Sequence, residues 1–257
     1  GTTATLEQFF GNLATGDGTK NLNELKDSFD KEISKAFEMG FKARLLDNTL
    51  ALNGAVYLTD TEDMQDFSFF AGPFGSLRVV TNIDEAEIRG AELDFKWKAS
   101  DSVTLYGGVG ITDTEIKKYS TRPYTTGNNL PYIPEATGNL GAEHAVSFGS
   151  GWELLTRVDL MYAGETWWSP VQDNYLPNFF TAFGFGGSEW SKMKRDSYVI
   201  GNLNFVITNN IWRINLWGKN ISDEDYLEEV IPAPEFGGSF IHDSYGRSFG
   251  VNISRTF

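Results

Sequence analysis

The sequence predicts an all-β protein: an antiparallel meander that builds a transmembrane β-barrel, with short periplasmic turns and long extracellular loops. Three observations carry this. Apolar–polar alternation recurs along the chain, the connections alternate between tight and long, and the last strand has two unlike faces. In that strand Tyr245, Phe249, Val251, Ile253 and Phe257 fall on one side. Gly246, Ser248, Gly250, Asn252, Ser254 and Thr256 fall on the other. A strand with one oily and one small-polar face separates two media. In a soluble sandwich the oily face would meet a second sheet, and in a membrane barrel it meets lipid.

The strands follow in order at 31–46, 49–66, 78–98, 103–117, 136–148, 152–166, 195–208, 211–221 and 245–257. Phe37, Met39, Phe41 and Leu45 oppose Glu38, Gly40, Lys42 and Arg44 in the first. Leu93, Phe95 and Trp97 oppose Glu92, Asp94 and Lys96 in the third, and Val103, Leu105, Val109 and Ile111 oppose Thr104, Tyr106, Gly108 and Thr112 in the fourth. Leu154, Val158, Leu160 and Tyr162 oppose Glu153, Arg157 and Asp159 in the sixth. Charges on the inner face of so many strands are costly in a dry core and suit a wet or plugged lumen. Turn residues sit at Asp47-Asn48, Ser100-Asp101-Ser102, Gly149-Ser150-Gly151 and Asn209-Asn210. Long connections are expected near 67–77, 118–135, 167–194 and 222–244. With the tight turns on one side, the last strand runs inward and ends on that side.

Composition limits the alternatives. The 257 residues contain no Cys, which excludes disulfides and thiolate metal sites. The aromatic content of 14% suits strands and membrane-interface girdles. No run approaches the roughly 20 apolar residues of a spanning helix. The formal net charge of −14 makes nucleic acid a poor partner.

Five stretches, in this order, resemble the C-terminal part of a TonB-dependent outer-membrane receptor. Ser34-Lys35-Ala36-Phe37-Glu38-Met39-Gly40-Phe41-Lys42 is similar to an aromatic-Glu-x-Gly-x-Lys strand, and Leu50 through Gln65 resembles the strand after it. Asn82 with Ala86-Glu87-Ile88-Arg89-Gly90-Ala91-Glu92-Leu93-Asp94 looks like an Asn…Gly-x-Glu strand. Leu130-Pro131-Tyr132-Ile133-Pro134 followed by Asn139-Leu140 resembles a Pro-flanked strand entry. Lys219-Asn220-Ile221-Ser222-Asp223-Glu224-Asp225-Tyr226 is close to the end of the family's penultimate strand.

The resemblance implies a partial barrel, about nine to ten strands of a larger one, in the outer membrane of a Gram-negative bacterium. Residues 1–30 are expected to be an extracellular loop segment leading into the barrel, and 31–257 the barrel portion itself, with the plug and TonB box lying outside this sequence. The implied activity is active uptake of a scarce nutrient, a ferric siderophore or else a corrinoid, haem or an oligosaccharide. The implied partners are outer-membrane lipid and lipopolysaccharide, the TonB complex acting through the N-terminal part, and a small-molecule ligand. The barrel-assembly machinery would read Tyr245, Phe249 and Phe257 as an assembly signal. Two other readings stay open to the residues alone, a self-contained passive porin and an outer-membrane hydrolase.

Ligand contact is expected from the aromatic loop, at Trp167, Trp168, Tyr175, Phe179, Phe180 and Trp190, because aromatic faces stack on flat chelates and sugars. The plainer accounts are an interface girdle for Trp167 and Trp168 and loop packing for the rest. Asn220 and Asp223 are expected to hold the strand exit through side-chain–backbone hydrogen bonds. Gly40, Gly90, Gly107 and Gly108 are read as sites of bends or bulges. No catalytic residue, metal ligand or cofactor is expected. His144 lies on the outward face, and His242-Asp243-Ser244 holds hydrolase residue types without the required geometry.

Overall fold

A computed structural model describes residues 28–72, 75–149, 151–172, 175–176, 184–233 and 238–256, with backbone alone for 68–72, 75–79 and 175–176. Among the described residues, nine long strands form one sheet. They are β1 (Ile33–Leu45), β2 (Leu50–Gly72), β3 (Gly75–Lys98), β4 (Val103–Lys118), β5 (Ala136–Phe148), β6 (Trp152–Ala163), β11 (Tyr198–Thr208), β12 (Trp212–Lys219) and β15 (Ser248–Arg255). The order is β1-β2-β3-β4-β5-β6-β11-β12-β15, and every neighbouring pair is antiparallel. The short pieces β7 (Thr166–Trp167), β8 (Tyr175–Leu176), β9 (Ser188–Glu189), β10 (Lys194–Arg195), β13 (Leu227–Ala233) and β14 (Gly238–Asp243) lie in the long connections.

The meander and its faces agree with the periodicity of the sequence. Following the register across the sheet, Leu52, Phe95, Gly107, Leu140 and Leu160 form one outward row. Gly54, Leu93 and Val109 form another. Phe37 is 68% exposed, Val109 51% and Ile253 65%. A contiguous exposed apolar face of this extent requires a non-aqueous medium. On β4 the face runs from Val103 to Ile111. At about 3.3 Å per residue and a tilt of about 40°, that is roughly 20 Å, close to the apolar band of a membrane barrel. Trp97, Phe148, Trp152 and Trp212 mark its lower border, as an aromatic girdle would. Above it, outward positions turn charged, with Arg89 bonded to Asp113 at 2.6 Å and Lys35 to Glu62 at 2.6 Å. The opposite face is polar. Tyr106 Oη donates to Asp159 at 2.6 Å, and Arg157 donates to the same carboxylate at 2.8 and 3.0 Å. Asn53 donates to Asp94 at 2.9 Å across β2 and β3.

The tight turns at Asp47-Asn48, Ser100-Asp101-Ser102 and Asn209-Asn210 fall where the turn residues stand, and Ser150 of the fourth expected turn lies outside the described residues. Leu46, Asp47 and Asn48 adopt positive φ of 52°, 52° and 67°. Asn209 Oδ1 accepts the N–H groups of Ile211 and Trp212 at 2.9 and 2.6 Å, which closes the β11–β12 hairpin.

Two expectations need correction. The long connection near 67–77 is strand on both sides, because β2 runs to Gly72 and β3 resumes at Gly75. This arm rises beyond β1 and β4, whose pairing with it stops at Glu62 and Glu85. Below the arm, Asp63 at φ 55° and a register shift at Glu85/Ala86 turn the strands. Ile83 thereby joins Ala86, Ile116, Tyr119 and Leu130 in a buried cluster.

The strand glycines are the second correction. Gly90 and Gly107, read as bends, sit in regular cross-strand pairs with Tyr57 and Phe95. A methyl group at Gly90 would collide with the Tyr57 ring, and one at Gly107 would stand 3.0 Å from Phe95. Gly54 under Phe41 (2.6 Å) and Gly141 under Tyr106 repeat the arrangement. These four glycines make room for rings, whereas Gly40 and Gly108 sit in regular pairs with Ala55 and Asp94 and have no ring over them.

The two-medium reading predicts asymmetry between faces. Val109→Arg, on the lipid side, should destabilise the inserted protein by about 2–4 kcal/mol. Thr104→Arg, on the polar side beside Glu143, should stay within about 0.5 kcal/mol. Reversible denaturant unfolding in lipid vesicles measures both.

Candidate functional site

The long connections converge at the end of the sheet opposite the tight turns. Residues 119–135 fold back over the buried cluster. Tyr119 is anchored to Thr81 at 2.8 Å and to Asp66 at 3.0 Å. Arg122, 7% exposed, stands 3.8 Å from Asp66. Burial pushes the Tyr119 phenol up, against the pull of Arg122, and the Asp66 carboxylate adds to the rise.

The next connection is stitched to this one. Gln172 Nε2 donates to Asn129 O at 2.9 Å while its Oε1 accepts Asn129 N–H at 3.2 Å. Asn128 donates to Pro170 O at 2.9 Å, and Tyr132 N–H to Trp167 O at 2.7 Å. Strands β7 and β10 then pair, setting Lys194 opposite Trp167 and Arg195 opposite Thr166.

That pairing builds a column of flat groups. Tyr132 meets Trp168 edge to face, with centroids 5.4 Å apart. Arg195 lies 5.5 Å from the Trp168 ring and 4.8 Å from the Tyr198 ring. Tyr198 stacks on Tyr226 at 3.8 Å and 7°. The Arg195 guanidinium also donates to Thr166 Oγ1 at 2.8 Å and Gly164 O at 3.2 Å, which fixes its plane. Lys194 is held by Glu165 at 2.8 Å and stands 5.5 Å from the Trp167 ring. The Glu165 hydrogen bond holds the Lys194 ammonium above the usual lysine range.

Tyr226 ends the column at the rim shared by two cavities. One, about 630 Å³, runs down the polar wall past Lys219, Asn202, Arg157 and Arg213. The other, about 660 Å³, is lined by Lys194, Arg195, Glu224, Asp225 and Asp243. Burial pushes the Tyr226 phenol up, with Tyr198 and Glu228 adding to the effect. An aromatic column with a cation inside it, opening on a polar wall, can stack a flat ligand and contact anionic groups on it.

The expected site residues are placed as follows. Trp168 and Trp190 are each 5% exposed and pack within the loops, whereas Trp167 is half-buried beside Lys194. Tyr175 pairs through its backbone with Glu189. Phe179 and Phe180 lie outside the described residues. Phe249 sits on the outward face of β15 and Tyr245, 81% exposed, just before it, while Phe257 lies outside the described residues. Tyr132, Arg195, Tyr198 and Tyr226 join the column without having been singled out as ligand residues. The signal available for them was their place beside strand ends and turn residues, where long connections converge.

Asn220 and Asp223 act as expected. Asn220 Nδ2 donates to Glu224 O at 2.8 Å, its Oδ1 accepts Glu224 N–H at 3.0 Å, and its N–H donates to Asn202 at 3.0 Å. Asp223 accepts Arg247 N–H at 2.9 Å. Ser244 Oγ accepts Tyr226 N–H at 3.1 Å, and His242 leans 3.9 Å from Glu228, so the two side chains serve the β13–β14 hairpin.

Two outcomes follow. Arg195→Ala removes the plate between Trp168 and Tyr198, and amide exchange should accelerate at 164–168 and 194–198. Arg195→Lys should not restore protection, because a point charge cannot replace the planar fork. Tyr119→Phe should cost about 1–2 kcal/mol near neutral pH, through the lost bonds to Asp66 and Thr81. The Tyr119 phenol is raised when folded, so its contribution is complete below about pH 10 and is lost as pH climbs beyond it. The gap between wild type and variant should therefore close in alkali, as read by unfolding against pH.

Comparison with known proteins agrees with this architecture. The family profile described as TonB dependent receptor-like, beta-barrel matches residues 3–221. A probable TonB-dependent siderophore receptor, PiuA, of Acinetobacter baumannii is 24% identical over 180 residues, covering 65% of this chain and 22% of that protein. The ferrichrome outer membrane transporter/phage receptor of Escherichia coli K12 is 30% identical over 138 residues, covering 53% of this chain and 17% of that one. The chain therefore spans about a fifth of the length of these curated relatives. Among solved structures, the ferric yersiniabactin uptake receptor FyuA of Yersinia pestis superposes with a TM-score of 0.68 at 17% identity, over 89% of this chain and 31% of that one. With the profile matched across most of its length, the chain belongs to the TonB-dependent receptor β-barrel family of the Gram-negative outer membrane.

Proposed function

We propose that the protein carrying this chain is an outer-membrane receptor for active uptake of a scarce nutrient, with a ferric siderophore as the ligand class. The observation that carries the reading is the Trp168–Arg195–Tyr198–Tyr226 column at the rim of a polar-walled cavity. Ferric chelates are octahedral at the metal but often carry flat aromatic arms such as catecholates and a net negative charge, and such groups stack on rings and pair with guanidinium and ammonium groups. The relatives' names support the same class, since several are receptors for iron chelates. Trp167 and Tyr226 contact the ligand, while Trp168 and Trp190 form the packed platform beneath. Tyr175, Phe179 and Phe180, in the same connection, offer further aromatic contacts to the ligand. Transport energy comes from the TonB complex acting through the N-terminal part of the receptor. Lipopolysaccharide surrounds the lipid-facing wall, and the barrel-assembly machinery reads Tyr245, Phe249 and Phe257.

Uptake of a panel of radiolabelled ferric chelates, haem and cobalamin by cells expressing the whole receptor tests this. The reading predicts saturable uptake of at least one ferric chelate that stops when TonB is deleted. Trp167→Ala and Tyr226→Ala should each weaken binding about tenfold at unchanged receptor level. Uptake that persists without TonB would make the protein a passive pore. Uptake of haem or cobalamin alone would reassign the ligand.

A further inference from the structure

Strand β11 grips the segment that follows β12 at both of its ends. At the start, the Asn202 carboxamide, paired across the polar wall with Asp159, accepts the Asn220 N–H at 3.0 Å. Beside it the Ile221 N–H donates to Gly201 O at 2.8 Å. At the finish, the Tyr198 ring stacks on Tyr226 at 3.8 Å. Alternate residues of a strand share a face, so Tyr198, Ile200 and Asn202 point the same way. Ile200, Asn202, Asn220 and Tyr226 line one cavity.

Asn220 sets the path between the two grips. It is 5% exposed and adopts φ 46°, a left-handed conformation that asparagine takes when its side chain bonds locally. Its Oδ1 accepts the Glu224 N–H at 3.0 Å and the Ser222 hydroxyl at 3.3 Å. Its Nδ2 donates to Glu224 O at 2.8 Å and Tyr245 O at 3.4 Å. The side chain is thus occupied with its own connection, and the buried Asn220 N–H takes its acceptor from β11. Without one, that N–H would be stranded. The Asn202 NH2 group reaches Met161 Sδ at 3.8 Å, which turns the oxygen toward Asn220. Other contacts hold the far side of the connection. Tyr226 exchanges hydrogen bonds with Ser244, and Asp223 binds Arg247. None of these ties the turn to β11, where the partner ring of Tyr226 stands.

We infer that Asn202 is a positioning residue for ligand binding: acting through Asn220, it seats the Tyr226 ring on Tyr198 at the rim. The seat rests on the geometry above, and its use in binding rests on the proposed role of Tyr226 as a ligand contact.

Fluorotyrosine placed at position 226 of the whole receptor reports the seat by fluorine NMR, with no ligand present. Tyr198→Ala supplies the unstacked shift. Asn202→Ala should move the signal at least halfway from the wild-type shift to the unstacked one. Asn202→Asp, which keeps the accepting oxygen, should leave it in place. If Asn202→Ala does not insert, Asn202→Ser, polar but too short to reach Asn220, is read in the same way. A wild-type shift in the Ala or Ser variant overturns the inference, as does an unstacked shift in the Asp variant. Binding of the ferric tris-catechol complex then tests the use of the seat. Asn202→Ala should weaken it about tenfold and add nothing in the Tyr226→Ala background, since both changes act through one ring. Full additivity would make Asn202 a direct contact and overturn the positioning role. No binding of the complex, or binding that Tyr226→Ala leaves unchanged, would count against Tyr226 as a ligand contact, and the fluorine signal would still decide the seat.

Discussion

Everything in this molecule depends on one constraint: each long strand must keep lipid on one side and a polar interior on the other. Side chains alternate with period two, so the pairing register decides which medium each residue meets. The outward row Leu52, Phe95, Gly107, Leu140, Leu160 crosses five strands without a polar interruption. The inner wall is wet enough to carry Arg157, Asp159 and Tyr106 bonded to one another. Charges that would be prohibitive in a dry core become ordinary there. Where the sheet rises above the band, the outward face takes the Arg89–Asp113 and Lys35–Glu62 pairs.

The wall also makes the mouth possible. Long loops carry little hydrophobic core of their own, and these gain order by borrowing from the strands. Tyr119 and Leu130 pack onto Ile83 and Ile116 from β3 and β4. Gln172 then ties the next connection to Asn129, and β7–β10 pairing fixes Arg195. The column that ends at Tyr226 continues this chain of dependence, and Asn220, Asp223 and Ser244 close the neck of the last connection beneath it. A ligand that bound Tyr226 would touch an element already coupled through Tyr198 and Arg195 to Trp168.

Much of this could be read in the sequence, for a physical reason. Where a strand divides two media, alternation is obligatory, so β4 at 103–118 and β5 at 136–148 were legible almost to the residue. Where a strand leaves the band, the requirement lapses. Phe67-Ser68-Phe69-Phe70-Ala71 has no period of two, so the sequence of the β2–β3 arm reads as a loop. The glycines misled for a related reason, since a ring covering a glycine is a relation between two strands. Gly90 reveals nothing until the register sets Tyr57 opposite it. The column was illegible in the same way. Tyr132, Arg195 and Tyr226 are far apart in sequence, and Trp168, conspicuous in a run of aromatics, proves buried. Asn220 and Asp223 were legible because their work is local, within a few residues of the strand exit.

The central claim is tested most directly by a single-cysteine scan of β4 from Val103 to Asp113 in the membrane-embedded receptor, each site probed with a lipid-soluble and a water-soluble quencher. The account predicts strict alternation. Positions 103, 105, 107, 109 and 111 should respond to the lipid-soluble reagent, and positions 104, 106, 108 and 110 to the water-soluble one. The outward response should switch to water at Asp113. Water accessibility on both faces throughout, or lipid accessibility on the face of Tyr106, would contradict a sheet that separates two media.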